Sequence, residues 1–302
     1  MAQADPSLDK SAMKINPFAN NFGAEITGVD LKDPSNEITE RVYQAFLDHQ
    51  MLVVRDQDLS PLEQVAFTER YGTLEWQENV KHSHPDHDKV LVLSNEIRPD
   101  GTAVGVVDAG DFWHSDSSHH EHPVKVTILM SIRTPSQGGA TDFCDMYSVY
   151  DALPESTKQK INGRYGIHHA SKALNPRVKI SENRPGAKEF YAKQAKERPM
   201  VRQPLVRTHD ETGRQALYVS PRFTLGIEDM DDSEAQPLLD ELFEYIISEE
   251  RKFHYRHYYR EGDLVLWDNR CIVHRATGGY AKDDIRRLHR TTVVGERAFY
   301  AP

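Results

Sequence analysis

Gly262-Asp263-Leu264-Val265-Leu266-Trp267-Asp268-Asn269-Arg270-Cys271-Ile272-Val273-His274 is the stretch on which the fold turns. Leu264 to Trp267 is a short apolar run bounded by the turn residues Gly262-Asp263 and Asp268-Asn269, and Ile272 to His274 is a second short strand. A hairpin here returns His274 to the mouth of the structure the strands enclose. Similar runs recur upstream and downstream: Phe22 to Ile26, Met51 to Val54, Val90 to Leu93, Val124 to Ile132, Thr141 to Cys144, Leu205 to Thr208, Ala216 to Val219, Phe253 to Tyr259 and Leu288 to Val294. Helices gather in fewer places. Ser35-Asn36-Glu37-Ile38 opens one with Val42, Phe46 and Leu47 on a single face, and Ser60-Pro61-Leu62-Glu63 opens another with a capping Ser, an early Pro and a Glu three residues on. A third spans Ser233 to Glu250, with Pro237 in its first turn. This order predicts a mainly β fold with flanking helices: a two-sheet jelly-roll barrel, or double-stranded β-helix. A doubly wound parallel sheet would need regular strand-helix alternation, and its glycine-rich phosphate loop is missing.

The chain has 302 residues, enough for one large domain, and the strand pattern predicts one over 1–302 with a loose tail over about 1–12. Lys- and Glu-rich sequence around Asn183-Arg184-Pro185-Gly186 marks a surface insertion over about 173–200. The net charge of −10 disfavours nucleic acid as a partner and leaves any anion binding to local arginines. No apolar run approaches the ~20 residues that span a bilayer. Two cysteines, Cys144 and Cys271, make no disulfide framework and fit a cytoplasmic enzyme. The oligomeric state is left open, and a homo-oligomer is compatible with the pattern.

Chemistry enters at Phe112-Trp113-His114-Ser115-Asp116, an imidazole and a carboxylate two residues apart at the edge of the apolar run that begins at Val124. Among 15 His, about one such pair is expected by chance. A second pair, His84-Pro85-Asp86, sits in a polar run with a proline at its centre and reads as a solvated loop between a helix and a strand. His114 and Asp116 share strand parity, and His274 supplies a third ligand. Two His and one carboxylate leave metal positions open, which suits a non-haem Fe(II) centre that also holds a co-substrate and O2. Catalytic zinc accepts the same donors. Arg286 and Arg290 lie four apart on a strand, so both face one side. A metal with open positions and two nearby cations point to an enzyme acting on small anions.

Trp113-His114-Ser115-Asp116, Gly138-Gly139-Ala140-Thr141, Gly262-Asp263 through Trp267-Asp268-Asn269-Arg270, His274 and the Arg286/Arg290 pair together resemble the taurine dioxygenase family of 2-oxoglutarate-dependent oxygenases. The likeness runs from Gly23-Ala24-Glu25-Ile26 to Thr291-Thr292-Val293, and it leans toward members that oxidise aryloxyalkanoates. It implies that His114, Asp116 and His274 bind Fe(II), that Thr141 and Arg286 hold 2-oxoglutarate, and that Arg290 holds the anionic group of the substrate. Gln77, Lys81 and His82 follow the second helix, where the family places substrate contacts. Arg287 competes with Arg286 on spacing, and strand parity selects Arg286. Ala140 stands where the family often has Asp. The reaction implied is oxidative decarboxylation of 2-oxoglutarate with O2, coupled to hydroxylation of the substrate; a sulfonate or alkyl sulfate is the alternative substrate. Outside the class stand a zinc hydrolase and a barrel that only binds a ligand.

Plainer readings accompany other residues. His119, His120 and His122 read as solvated, and Tyr255, His257 and Tyr259 as sheet-face packing. Trp113 and Trp267 read as core, Asp268-Asn269 as a turn, and Arg270 as a structural ion-pair partner.

Overall fold

Leu264–Asp268 is a strand buried along its whole length because both of its faces are covered, Val265 and Trp267 in one core and Leu264 and Leu266 in another; both of its edges are paired as well, with Met51–Val54 on one side and Val124–Arg133 on the other. This computed structural model describes residues 13–19, 22–75, 80–107, 109–174, 186–248 and 253–302. The hairpin expected across Asp268-Asn269 does not form. With both edges of Leu264–Asp268 taken, Ile272–Ala276 pairs instead with Thr141–Asp145, so the chain changes sheets at this turn. Arg270 builds the corner: its backbone N–H and its guanidinium both donate to the Asp268 carboxylate.

The larger sheet runs in the order Lys14–Pro17, Ala24–Thr27, Met51–Val54, Leu264–Asp268, Val124–Arg133, Arg287–Val294, His87–Ser94, Ser83–His84. A three-stranded sheet holds Thr141–Asp145 between His254–His257 and Ile272–Ala276. Alternation along each strand decides what the large sheet covers. Met51, Val53, Leu129, Val265 and Trp267 share a core with Phe143, Cys144, Ile272 and Val273 of the smaller sheet. The rings of Phe143 and Trp267 meet edge-on at 5.3 Å between the sheets. The opposite face, with Leu52, Val54, Ile128, Leu264 and Leu266, lies under the helices Asn36–His49 and Pro61–Glu69 through Phe46 and Phe67, and under Tyr71 just past the second helix. Each such fully buried side chain stabilises the fold by about 1.5–3 kcal/mol. This is a mainly β fold with flanking helices, in the layered arrangement the strand pattern predicts.

Both early helices start where their caps predict. Ser35 accepts from the Ile38 N–H, and Ser60 and Glu63 form a reciprocal capping box. The late helix begins earlier than expected, at Asp232, so Pro237 lies in its second turn and leaves the exposed Ser233 carbonyl without a helical donor. A small sheet of Thr224–Ile227, Tyr165–His168 and Val201–Pro204 escapes the sequence reading because these strands are short and mixed in polarity. Within the insertion, Ala187–Glu197 is a helix that packs Tyr191 against Ala170, Ala173 and Phe223. Residues 175–185 and the tail over 1–12 lie outside the described residues. No helix among the described residues is long and apolar enough to cross a membrane.

Candidate metal centre

A two-residue backbone joint brings the distant His segments together. The His114 N–H donates to the His274 carbonyl at 3.0 Å, and the His274 N–H donates to the His114 carbonyl at 2.8 Å. His274 sits on the strand opposite Phe143, while His114 and Asp116 lie on an irregular segment joined to that strand by this bridge. They therefore face one cavity without the regular strand that parity assumed. Their alternation is imposed by side-chain anchors: Ser115 Oγ donates to the Asn269 carbonyl at 2.8 Å, and the Asp116 N–H donates to Asn269 Oδ1 at 3.1 Å. Gly110 lets the preceding loop lie against the imidazole. Its φ is +78°, and a Cβ there would come within 2.7 Å of His114 Cε1.

The three side chains offer ligand atoms that all lie within 4.8 Å of one another. His114 Nδ1 is 2.7 Å from the Phe112 carbonyl, which can only accept, so Nδ1 carries the proton and Nε2 keeps its lone pair for a metal. His114 Nε2 stands 3.5 Å from Asp116 Oδ1, and His274 Nε2 stands 3.9 Å from Asp116 Oδ2, spacings suited to donors converging on one ion. Asp116 is held from behind. Asn269 Nδ2 donates to Thr127 Oγ1 at 2.8 Å, and the Thr127 hydroxyl donates to Asp116 Oδ2 at 2.6 Å. Burial opposes charge on Asp116, but His274, His114 and Arg290 outweigh it and hold the carboxyl well below its ordinary range. Burial, with His114 beside it, also pushes His274 down to about 3. At neutral pH the cluster thus offers neutral His274 nitrogen and an ionised carboxylate, a donor set that fits Fe(II) with positions left open.

Thr141, Arg286 and Arg290 line the same small cavity as the three ligands. Arg286 immediately precedes the strand Arg287–Val294, is buried, and donates through Nε to the Gly139 carbonyl at 3.0 Å. Gly139 makes this passage: its φ is +67°, and a Cβ would lie 3.1 Å from Arg286 Cδ and 2.8 Å from Pro135 Cγ. Arg287 turns the other way, to Glu96 at 2.5 Å. Between Arg287 and Leu288 the register shift skips Ile132 on the neighbouring strand, so alternation along Arg287–Val294 is preserved. Arg290 Nη1 is 3.7 Å from Asp116 Oδ1, beyond hydrogen-bond reach, and its Nε is buried without a partner. Thr141 Oγ1 is 2.9 Å from the Tyr259 hydroxyl, a contact that the packing reading of Tyr259 did not anticipate.

Other candidates fall elsewhere. Lys81 and His82 line a separate cleft of about 740 Å³, walled also by Arg98, Val106, Phe190 and Lys193. Gln77 lies outside the described residues. His84-Pro85-Asp86 is the turn of a hairpin rather than a loop between helix and strand; the Asp86 N–H closes it on His84 Nδ1, and no third ligand joins the pair among the described residues. His119 is buried rather than solvated, stacked on Phe223 at 4.2 Å and bonded to Gln194, and burial keeps it neutral. His122 is exposed. A second group, His209, Asp268 and Cys271, is equally close-knit. Its Asp268 oxygens are taken by Arg270 and by His209 Nε2, whose ring accepts backbone N–H bonds at Nδ1, so no free donor faces a metal.

Comparison with known proteins agrees with this geometry. The family model described as "Taurine catabolism dioxygenase TauD, TfdA family" matches residues 14–292. The alpha-ketoglutarate-dependent 2,4-dichlorophenoxyacetate dioxygenase of Cupriavidus pinatubonensis is 33% identical over 291 residues, covering 93% of this chain and 97% of its own. The (S)-phenoxypropionate/alpha-ketoglutarate-dioxygenase of Sphingobium herbicidovorans is 32% identical over 278 residues, covering 88% and 90%. Among solved structures, AAD-2 in complex with Mn(II) and N-oxalylglycine superposes with a TM-score of 0.74 at 28% identity, over 95% of this chain and 99% of that one. A taurine dioxygenase from Burkholderia xenovorans gives 0.74 at 26% identity, over 96% and 93%.

Proposed function

This chain belongs to the TauD, TfdA family of dioxygenases, and from that premise we propose that it is an Fe(II)- and 2-oxoglutarate-dependent enzyme that hydroxylates, and thereby cleaves, a small aryloxyalkanoate. The class follows from the family; the substrate and the residue roles are our reading. His114, Asp116 and His274 hold the iron. Thr141 and Arg286 take the distal carboxylate of 2-oxoglutarate, and Arg290 takes the carboxylate of the substrate. When bound, the metal with 2-oxoglutarate and O2 supplies the oxidising power: 2-oxoglutarate leaves as succinate and CO2, and one oxygen atom is inserted into a substrate C–H bond.

The protein's share is orientation. The Phe112 carbonyl sets the His114 tautomer, and Thr127 fixes the rotation of Asp116. Arg290 anchors the acid group so that the adjacent carbon lies over the metal face. Hydroxylation of a carbon that carries an ether oxygen leaves a hemiacetal, which collapses to a phenol and a 2-oxo acid. The observation that carries this reading is the Arg290 guanidinium beside the cluster: it stands 3.7 Å from Asp116, and its Nε is buried with no hydrogen-bond partner, a donor in want of an acceptor. The names of the curated relatives support an aryloxyalkanoate as that anion. Contacts of the substrate with Lys81 and His82, which line a separate cleft, are part of the same proposal. We read residues 1–302 as one such domain, which the match over 14–292 supports, and place it in the cytoplasm, in keeping with two free cysteines.

The test is a panel of aryloxyalkanoates, alkanesulfonates and alkyl sulfates, scored by succinate released with Fe(II), 2-oxoglutarate and O2. Aryloxyalkanoates should give the highest kcat/KM. Preference for a sulfonate or sulfate would move the substrate assignment, and succinate release stimulated by no member would remove the anionic-substrate reading.

A further inference from the structure

Tyr259 stands two residues past the strand His254–His257, whose last residue pairs with Thr141 on the neighbouring strand. That register puts its side chain over the start of the Thr141 strand, where its hydroxyl meets Thr141 Oγ1 at 2.9 Å. Its ring faces the other co-substrate residue, with the Arg286 guanidinium carbon 5.5 Å from the ring centroid. The ring is braced from behind. His257 packs edge-on against it at 4.7 Å, His257 Nε2 is bonded to Asp263 Oδ2 at 3.1 Å, and Arg55 donates to both Asp263 oxygens. Among the described residues no carboxylate pairs with Arg286, so its free donors remain directed to whatever enters the cavity.

We infer that Tyr259 is a positioning residue for the co-substrate: its hydroxyl orients the Thr141 hydroxyl and its ring steadies Arg286, so that the two present a preformed clamp to the distal carboxylate of a 2-oxo diacid. The inference rests on the assignment of Thr141 and Arg286 to 2-oxoglutarate. A carboxylate only accepts hydrogen bonds, so the Thr141 proton must point at it. Thr141 Oγ then needs a donor of its own, and the Tyr259 O–H is that donor; the chain runs from Tyr259 to Thr141 to carboxylate with every proton in one direction. Burial raises the Tyr259 phenol above its ordinary range, against the opposing pull of Arg286, so the hydroxyl keeps its proton across the working pH range. A Thr without such a donor rotates among its staggered positions and loses part of its preorganisation.

The test is calorimetric titration of N-oxalylglycine into Mn(II)-loaded protein, which reads binding without turnover. Tyr259→Phe keeps the ring and removes only the hydroxyl. It should raise the Kd of N-oxalylglycine by about 5- to 10-fold, the loss of one neutral hydrogen bond. The Kd of Mn(II) and the KM of the primary substrate should stay unchanged, a split that a general loss of structure would not produce. Because Tyr259 acts through Thr141, the Tyr259→Phe/Thr141→Val double variant should bind no worse than Thr141→Val alone. A Tyr259→Phe Kd equal to that of the wild type, beside weakened Thr141→Val and Arg286→Ala, overturns the role of Tyr259 while leaving the co-substrate site in place. Additive losses in the double variant overturn the route through Thr141. Unchanged Kd values in Thr141→Val and Arg286→Ala remove the co-substrate assignment itself.

Discussion

Thr127→Val isolates the support behind Asp116 from the ligand itself. Thr127 is fully buried, and its hydroxyl stands 2.6 Å from Asp116 Oδ2 and 2.8 Å from Asn269 Nδ2. Valine keeps the shape and the strand propensity, so little packing changes. Two polar terms are lost. A hydrogen bond to a carboxylate contributes about 1.5–3 kcal/mol, and a buried amide donor left unpaired costs about 1–3 kcal/mol. The two belong to one network and do not add in full, so unfolding in urea should show a loss of about 2–4 kcal/mol. Metal affinity should fall more selectively, because Asp116 becomes free to rotate off the face shared with His114 and His274. Loss of such an outer partner costs about 10- to 100-fold in metal Kd. Anaerobic calorimetry with Fe(II) reads it directly, and Thr127→Ser, which keeps the hydroxyl, should retain most of the affinity. A Thr127→Val Kd indistinguishable from the wild type would refute the claim that Asp116 is oriented through this chain.

Three further outcomes are expected. Arg286→Ala should raise the KM for 2-oxoglutarate by about 30-fold or more, the cost of truncating a buried charge partner, while Arg287→Ala, whose side chain turns to Glu96, should change it little; the reverse order would show that strand parity was misapplied. Arg290→Ala should weaken the primary substrate with little effect on 2-oxoglutarate, Arg290→Lys should recover only part for want of a bidentate fork, and efficient turnover of a neutral ester would contradict the role. Glu211 carries a pH signature. Burial opposes its charge, but the Tyr43 hydroxyl and Arg270 outweigh it and bring Glu211 from 4.5 down to about 2. A depressed carboxyl stabilises the fold above its unfolded pKa, and that contribution fades as pH falls through the folded one. The stability gap between wild type and Glu211→Gln should therefore be widest above pH ~5 and narrow toward pH ~3 in denaturant titrations; a gap that does not vary with pH would contradict the ion-pair account.

The residues whose meaning is local could be read from the chain. Ser60 and Glu63 announce a helix start because the capping bonds span only three residues, and Leu264 to Trp267 announces a strand because an apolar run between turn residues has few other uses. The common face of Arg286 and Arg290 followed from four-residue spacing, because the bulge beside them falls on the neighbouring strand. What depends on long-range pairing was hidden. The chain changes sheets after Asp268 because Met51–Val54 and Val124–Arg133 have already occupied both edges of its strand, a fact about residues far away. Asn269 supports Asp116 across 153 positions, and Tyr259 meets Thr141 across 118, so neither contact leaves a local pattern. His119 misled because a His-rich, polar stretch looks solvated until Phe223 and the insertion helix cover it.

The proposed centre holds one Fe(II) at His114, Asp116 and His274. Its most direct test is the iron content of the anaerobically loaded, desalted protein, measured for the wild type, for His114→Ala, Asp116→Ala and His274→Ala, and for His84→Ala as the control at the other His-x-Asp pair. One iron per chain is expected in the wild type and in His84→Ala, and loss of iron with intact fold in the other three. Full iron in His114→Ala, or iron lost only in His84→Ala, would contradict it.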